Sequence, residues 1–255
     1  MKFLLLFVVS FFCVSSFATI RTVSNNPSTI AQFSNIQTAI DASADGDTVY
    51  VHGSPIVYAD FNIIDKKIAV IGPGRAPDTE LQYSATCNFI TLDNTNNPGS
   101  ANGSEVNGLQ INFSIVIYAV DNIRIIRCSL GGEFGITANR TISSLLLESC
   151  IIKGMTFNSL ATYTNMLVQN CIIYNYIPVS LINISGLTNS VNVRFNHNLF
   201  YGSGPVATGG HDMFSNNCRN IIFTNNIFTR CNPGPNLSFS SFSKVVMALR
   251  YAERT

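Results

Sequence analysis

Along residues 122–230 the large apolar side chains fall at positions that repeat. Five segments superpose: 122–132, 144–154, 165–175, 192–202 and 220–230. Their common register residue is Cys128, Cys150, Cys171, Asn198 and Asn226, with spacings of 22, 21, 27 and 28. Three residues before it stand Ile125, Leu147, Val168, Phe195 and Phe223. Five before it stand Ile123, Leu145, Met166, Val193 and Ile221, and two after it Leu130, Ile152, Ile173, Phe200 and Phe228. This period-two alternation predicts short strands with one face buried. A strand that short cannot bury a face alone, so the repeat predicts a solenoid of all-strand coils stacked about 4.8 Å apart. Spacings of 21 to 28 also suit leucine-rich repeats, but closely spaced leucines and helical periodicity between the segments are missing.

Stacking puts Cys128, Cys150 and Cys171 into one interior ladder that Asn198 and Asn226 continue. A small thiol fills space there, and an Asn at a bend hydrogen-bonds its copy on the next coil. One column does not fit simple alternation. The residue after the register position is apolar in four of five copies, Ile151, Ile172, Leu199 and Ile227, although alternation points it outward.

Upstream, residues 33–42 read as a short amphipathic helix with Ile36, Ala39 and Ile40 as its apolar stripe and Ser34 as N-cap. A helix across the open end of a solenoid covers apolar surface. Asp45-Gly46-Asp47 turns into a strand from Thr48, and a second strand leads into Gly72-Pro73-Gly74. At the start, Lys2, the apolar run 3–14 and Ser16-Phe17-Ala18 have the pattern of a secretory signal peptide cleaved after Ala18. The run is shorter than the roughly 18 apolar residues that span a bilayer. The expected organisation is a signal peptide at 1–18, one solenoid domain at 19–232 and an irregular tail at 233–255. Asn232-Pro233-Gly234-Pro235 breaks any strand, and the tail is too short for a further coil. An uncovered last coil invites self-association, and the chain then reads either as capped by its tail or as a piece of a longer solenoid.

Charge changes the picture mainly by its scarcity. Only 11% of the 255 residues are charged, the net is +1, and 29 Asn supply much of the polarity. There is no basic footprint for nucleic acid, and 46% hydrophobic residues exclude a disordered chain. Without Cys13, six cysteines remain, with no CxxC and no Cys/His grouping of zinc spacing. Cys218 and Cys231 stand at the two ends of one coil, and spacing leaves their pairing open.

The run Ile36-Gln37, Ala39-Ile40-Asp41-Ala42, Gly46-Asp47-Thr48-Val49-Tyr50-Val51 and residues 68–74, together with the Asn-Cys-Ile-Ile and Asn-Asn-Ile-Phe turns, resembles right-handed parallel β-helix proteins of the pectin-lyase-like superfamily. The resemblance covers about residues 19–231. It implies an all-β right-handed parallel β-helix with a short N-terminal capping helix. It also implies polysaccharide as partner, with lyases, hydrolases and non-catalytic members all represented, and calcium as the only cofactor suggested. The paired acids, Gly-His-Gly and Trp-containing motifs of the catalytic members are missing, and the chain has no Trp. The outward columns offer Arg124, Glu148, Arg194 and Asn196. His197 adjoins them, and the loop 202–217 carries His211 and Asp212; a His with an acid and Arg nearby suits acid–base work or an acidic sugar. Three functions compete for an exported protein, periplasmic, cell-surface or extracellular and free of the membrane once its leader is cleaved. They are a carbohydrate-interacting surface module, a polysaccharide lyase or glycoside hydrolase acting on acidic polysaccharide, and a structural or adhesive repeat.

Overall fold

The computed structural model describes residues 18–74, 83–94, 96, 99–132, 136–138, 141–157, 162–175, 182–183, 191–202, 214–215 and 221–229. The expected signal peptide through Phe17, Cys218, Cys231 and the tail lie outside the described residues.

The chain winds as a parallel β-solenoid. Its first sheet has nine strands, each paired in parallel with the next: Ile20–Val23, Thr48–Val51, Ala69–Ile71, Glu105–Asn107, Arg124–Ile126, Leu146–Glu148, Leu167–Gln169, Val193–Asn196 and Ile221–Thr224. The second sheet begins with Phe61–Ile64, Thr86–Asp93 and Gln110–Tyr118. Gln110–Tyr118 pairs at its start with Ser129–Leu130 and at its end with Ile136–Ala138, so later coils carry two short strands where it carries one. A small third sheet joins Ile142–Ser143 to Tyr163–Thr164.

The repeat columns stack as the spacing predicts. Leu147 lies beside Ile125 and Val168, and Phe195 beside Phe223. Fourteen of the fifteen apolar side chains in the three columns are within the described part, and all fourteen are buried. Phe195 and Phe223 stack at 5.0 Å, with Phe200 tilted against Phe195.

Backbone geometry at the turns accounts for a share of the Asn residues. The residue before each ladder position has positive φ: Arg127 (52°), Ser149 (55°), Asn170 (54°), His197 (53°) and Asn225 (55°). A second such column precedes each first-sheet strand, at Asn122, Ser144, Asn165 and Asn192. Asn tolerates this left-handed region better than most residues. One coil earlier the corner is Gly108 (φ 68°), where a Cβ would also meet the Gly72 carbonyl oxygen at 2.6 Å. The turn at this corner lets the ladder residue point in and its successor point out. Ile172 and Ile227 are accordingly 36% and 53% exposed.

At the ladder, each side chain reaches the carbonyl of the residue three before the ladder position in the preceding coil, and each thiol shares its hydrogen with the carbonyl two residues before it in its own coil, at 3.3 Å for Cys128 and Cys150 and 3.2 Å for Cys171. Cys128 Sγ reaches Val106 O (3.6 Å), Cys150 Sγ reaches Ile125 O (3.5 Å), and Cys171 Sγ reaches Leu147 O (3.7 Å). Asn198 Nδ2 donates to Val168 O at 2.9 Å and Asn226 Nδ2 to Phe195 O at 2.8 Å. The same side chains accept from the preceding ladder N–H: Cys150 N to Cys171 Sγ (3.4 Å), Cys171 N to Asn198 Oδ1 (2.9 Å) and Asn198 N to Asn226 Oδ1 (2.8 Å). Burial pushes the Cys128 thiol well up, which keeps it protonated and able to donate. Outside the ladder, burial and the nearby Asp60 push Cys87 up to about 12.

At the N-terminal end, a helix (α1, Ile36–Ala42) packs on the first coil and buries Ile36, Ala39 and Ile40. Its N-cap is Asn35 rather than the expected Ser34: Asn35 Oδ1 accepts from Thr38 N, the N3 amide, at 3.2 Å. Lys66 Nζ donates to the carbonyls of Ile40, Asp41 and Ser43, satisfying the other end. Phe33 pairs with the outer edge of Ile20–Val23, through Phe33 N to Thr22 O and Ser24 N to Phe33 O. That edge is therefore covered. Asp47 ties the cap to the coil by accepting from Thr19 N (2.7 Å) and Ala44 N (2.9 Å), with Arg21 Nε 3.7 Å away. No helix among the described residues is long and apolar enough to cross a membrane.

Two measurements check this construction. Cys128, Cys150 and Cys171 should resist alkylation in the native protein and react after denaturation, read by mass of the tryptic peptides. Asn198→Leu should lower unfolding free energy by about 3 kcal/mol, because it orphans the buried Cys171 N–H and Val168 carbonyl. Cys150→Asp should be more damaging still, since it buries an unpaired carboxylate.

The cap has a pH signature. The bond from the Thr19 N–H, with smaller help from Ala44 N–H, Arg21 and Lys66, outweighs desolvation and holds Asp47 below its ordinary 3.8. A depressed folded-state pKa contributes stability above the unfolded value, and that contribution is lost as pH falls through the folded one. Thermal midpoints measured downward from pH 5 should therefore fall less steeply in Asp47→Asn than in the parent.

Candidate functional site

The outer face of the first sheet is built from positions four and two before the ladder residue. In the first of these columns Glu105, Arg124, Leu146, Leu167, Arg194 and Ile222 follow one another in register. Arg124 and Arg194 thus share a column, but two leucines separate them. Three rungs at about 4.8 Å place them about 14 Å apart. Glu148 and Asn196 belong to the second column, with Gln169 between them.

The charged groups are engaged with immediate neighbours. Arg124 Nη1 lies 2.9 Å from Glu105 Oε2, with side chains 53% and 16% exposed. Glu105 Oε1 accepts from Asn107 Nδ2 at 2.7 Å, and Asn107 Oδ1 accepts from Arg127 Nε at 3.0 Å. Two guanidiniums therefore flank one carboxylate through one amide. Glu148 Oε1 accepts from Gln169 Nε2 at 2.7 Å. Arg194 Nε donates to Asn192 Oδ1 at 2.7 Å, and Asn192 Nδ2 to Asn165 Oδ1 at 2.7 Å. Thr224 Oγ1 donates to Asn196 Oδ1 at 2.8 Å. His197 occupies the left-handed corner, its N–H donating to Thr224 O.

The structure therefore does not gather the expected residues into one constellation. It joins Arg124 to Glu105, sets Glu148 against Gln169, and holds Arg194 and His197 two to three rungs further on. His211 and Asp212 lie outside the described residues. Glu105, Asn107 and Arg127 were missed as partners because the aligned repeat began at residue 122. The signal was present: Glu105-Val106-Asn107-Gly108-Leu109 matches Arg124-Ile125-Ile126-Arg127-Cys128 column for column.

Chemically, the face offers hydrogen-bond donors and acceptors at each rung and two guanidinium sites. Both oxygens of the Glu105 carboxylate have partners, so it is poorly placed to take a substrate proton. Among the described residues no group of three His, Cys, Asp or Glu side chains is arranged to hold a metal ion. No family model matches the chain, and the comparisons with curated proteins and with solved structures gave no match.

Arg124 is half exposed at the surface, where ion pairs contribute little, and its partner Glu105 keeps its Asn107 bond when Arg124 is replaced. Arg124→Gln should change unfolding free energy by less than about 1 kcal/mol in denaturant titration. It is therefore suited to test function without disturbing the fold.

Proposed function

We propose that this chain is an exported carbohydrate-interacting module, related in architecture to the pectin-lyase-like solenoids, and that it binds rather than cleaves its ligand. The observation that carries the reading is the first-sheet outer face. Side-chain hydrogen bonds run from rung to rung there (Gln169 to Glu148, Thr224 to Asn196), a third joins Asn192 to Asn165 in the turn column just before the strands, and together they order the wall. Such a wall presents donors and acceptors at fixed intervals to a ligand that is itself a repeat of hydroxyl groups. Pre-ordered side chains lose little freedom on binding, which favours affinity. Arg124 and Arg194 add places where an acidic sugar can be held by charge-assisted bonds.

A glycan array probed with the purified protein tests the reading. Binding to at least one glycan class is expected, and absence of binding across the array defeats it. A parallel assay for unsaturated or reducing uronate ends should give no release from polygalacturonate; sustained release would replace a binding module by a lyase or hydrolase.

A further inference from the structure

The second sheet turns outward a surface of different chemistry. The column after the ladder residue, unexplained by simple alternation, runs in register through Ile151, Ile172, Leu199 and Ile227. Beside it Tyr174 and Tyr201 are register partners, with Lys153 on the preceding rung. Toward the N-terminal end, Phe89 and Phe113 are 43% and 51% exposed and stack at 5.0 Å with planes 12° apart. An amide pair stands next to them, Asn112 Nδ2 donating to Asn88 Oδ1 at 3.0 Å. The following rung carries Gly131 and Gly132, and a Cβ on Gly132 would collide with the Phe113 carbonyl. That rung is recessed, so the aromatic pair stands at the edge of a shallow notch.

Size and charge narrow the occupant. The rungs from Thr86 to Ile227 make a strip about 29 Å long and about 13 Å wide, on strand spacings of about 4.8 and 3.3 Å. About 380 Å² is well short of the roughly 800 Å² that each partner buries in a stable protein interface. It is the size of a functional patch on a monomer. In its two outward columns Lys153 is the one charged side chain, and at the aromatic end the Asp60 carboxylate is occupied in accepting from Asn88 N and Phe89 N, whereas the first sheet carries Glu and Arg at several rungs. A long, narrow, nearly uncharged strip with aromatic rings beside amides matches a ligand that has apolar ring faces and a rim of hydroxyls.

We infer that this strip binds a neutral, unbranched polysaccharide laid along the solenoid axis, with Phe89–Phe113 and Tyr174–Tyr201 as its two aromatic anchors. The inference rests on the carbohydrate-binding reading above and assigns it a second face and a ligand class. Like residues repeat along the axis rather than around the coil, so an extended ligand meets the same chemistry at successive rungs only in that direction. Binding through such contacts is insensitive to salt, whereas capture of an acidic chain by Arg124 or Arg194 weakens as salt rises.

Affinity electrophoresis of the full chain in gels containing hydroxyethylcellulose, mixed-linkage β-glucan or polygalacturonate tests this, with binding to soluble chitin oligosaccharides followed by calorimetry. At least one of the three neutral ligands should bind, with no loss at high salt. Phe113→Ala and Ile172→Ser should each weaken that binding at least tenfold, while Ile30→Ser, at a 99% exposed position outside the strip, leaves it unchanged. Circular dichroism of each variant checks that the fold is kept, and Phe113→Leu serves if the alanine variant does not fold. Neutral binding that survives both substitutions overturns the inference. So does binding confined to polygalacturonate and lost in Arg124→Gln, which leaves the broader reading intact. Failure of every glycan to bind removes both.

Discussion

The structure depends on one repeated arrangement, the ladder side chain that bridges two coils at a left-handed corner. A chain turning that sharply leaves an N–H and a carbonyl facing the interior with no strand partner. Buried and unpaired, each would cost on the order of 1–3 kcal/mol. Asn198 answers both demands, giving Nδ2–H to Val168 O and taking N–H from Cys171, while Asn226 does the same one coil later for Phe195 O and the Asn198 amide. Cysteine is a weaker substitute with the same valence: a thiol donates to the equivalent carbonyl and accepts from the preceding amide at longer distances. It is also smaller and less polar, which suits coils whose other inward residues are Ile and Leu. The cysteines therefore belong to the hydrogen-bonding frame, and their reactivity is incidental.

Once that corner is fixed, the outer surface follows. A left-handed residue just before each ladder position restarts the in-out alternation, and five columns reach solvent: two on the first sheet, the corner itself, and two on the second. The coils share their inward residues but differ in their outward ones. Charge collects on the first sheet, at Glu105, Arg124, Glu148 and Arg194, while aliphatic and aromatic side chains collect on the second. The capping helix protects this arrangement at the N-terminal end, where Lys66 and Asp47 together tie helix, turn and first coil.

How much of this the sequence disclosed depends on which side of the strand a residue occupies. The inward columns were legible because burial restricts them to large apolar side chains, and the cysteine and asparagine ladder emerged from alignment of five segments. Upstream, the strands from Thr48 and into Gly72 were legible, but the coil at Glu105–Leu109 was not aligned with the repeat, since there the ladder holds Leu109 and the corner holds Gly108, and neither resembles Asn or Cys. The cap residue was misplaced by one position, because Ser34 and Asn35 are both good N-caps and only geometry shows which oxygen reaches Thr38. The site was least legible. Outward residues are under no packing rule, so a sequence can show that Arg124 and Arg194 share a column but not that Glu105, one unrecognised coil earlier, neutralises one of them.

The rung spacing also constrains what chemistry such a wall performs. Two carboxylates about 5 Å apart, as a retaining glycosidase needs, must occupy one column on adjacent rungs, and an inverting pair needs about 6.5–9.5 Å. On the first sheet Glu105 and Glu148 are two rungs apart in different columns, about 12 Å between backbones. Glu105 is held by Arg124 on the intervening rung and by Asn107 on its own strand, and Glu148 by Gln169 on the rung beyond it. To meet across a sugar they would have to abandon those bonds and lean toward one another past Ile126, which lies beside Glu148 on the intervening rung. A wall with its acids so placed fits the binding role proposed above, in which the ligand is read by contact along the wall and its identity is set by which outward columns carry charge and which carry rings.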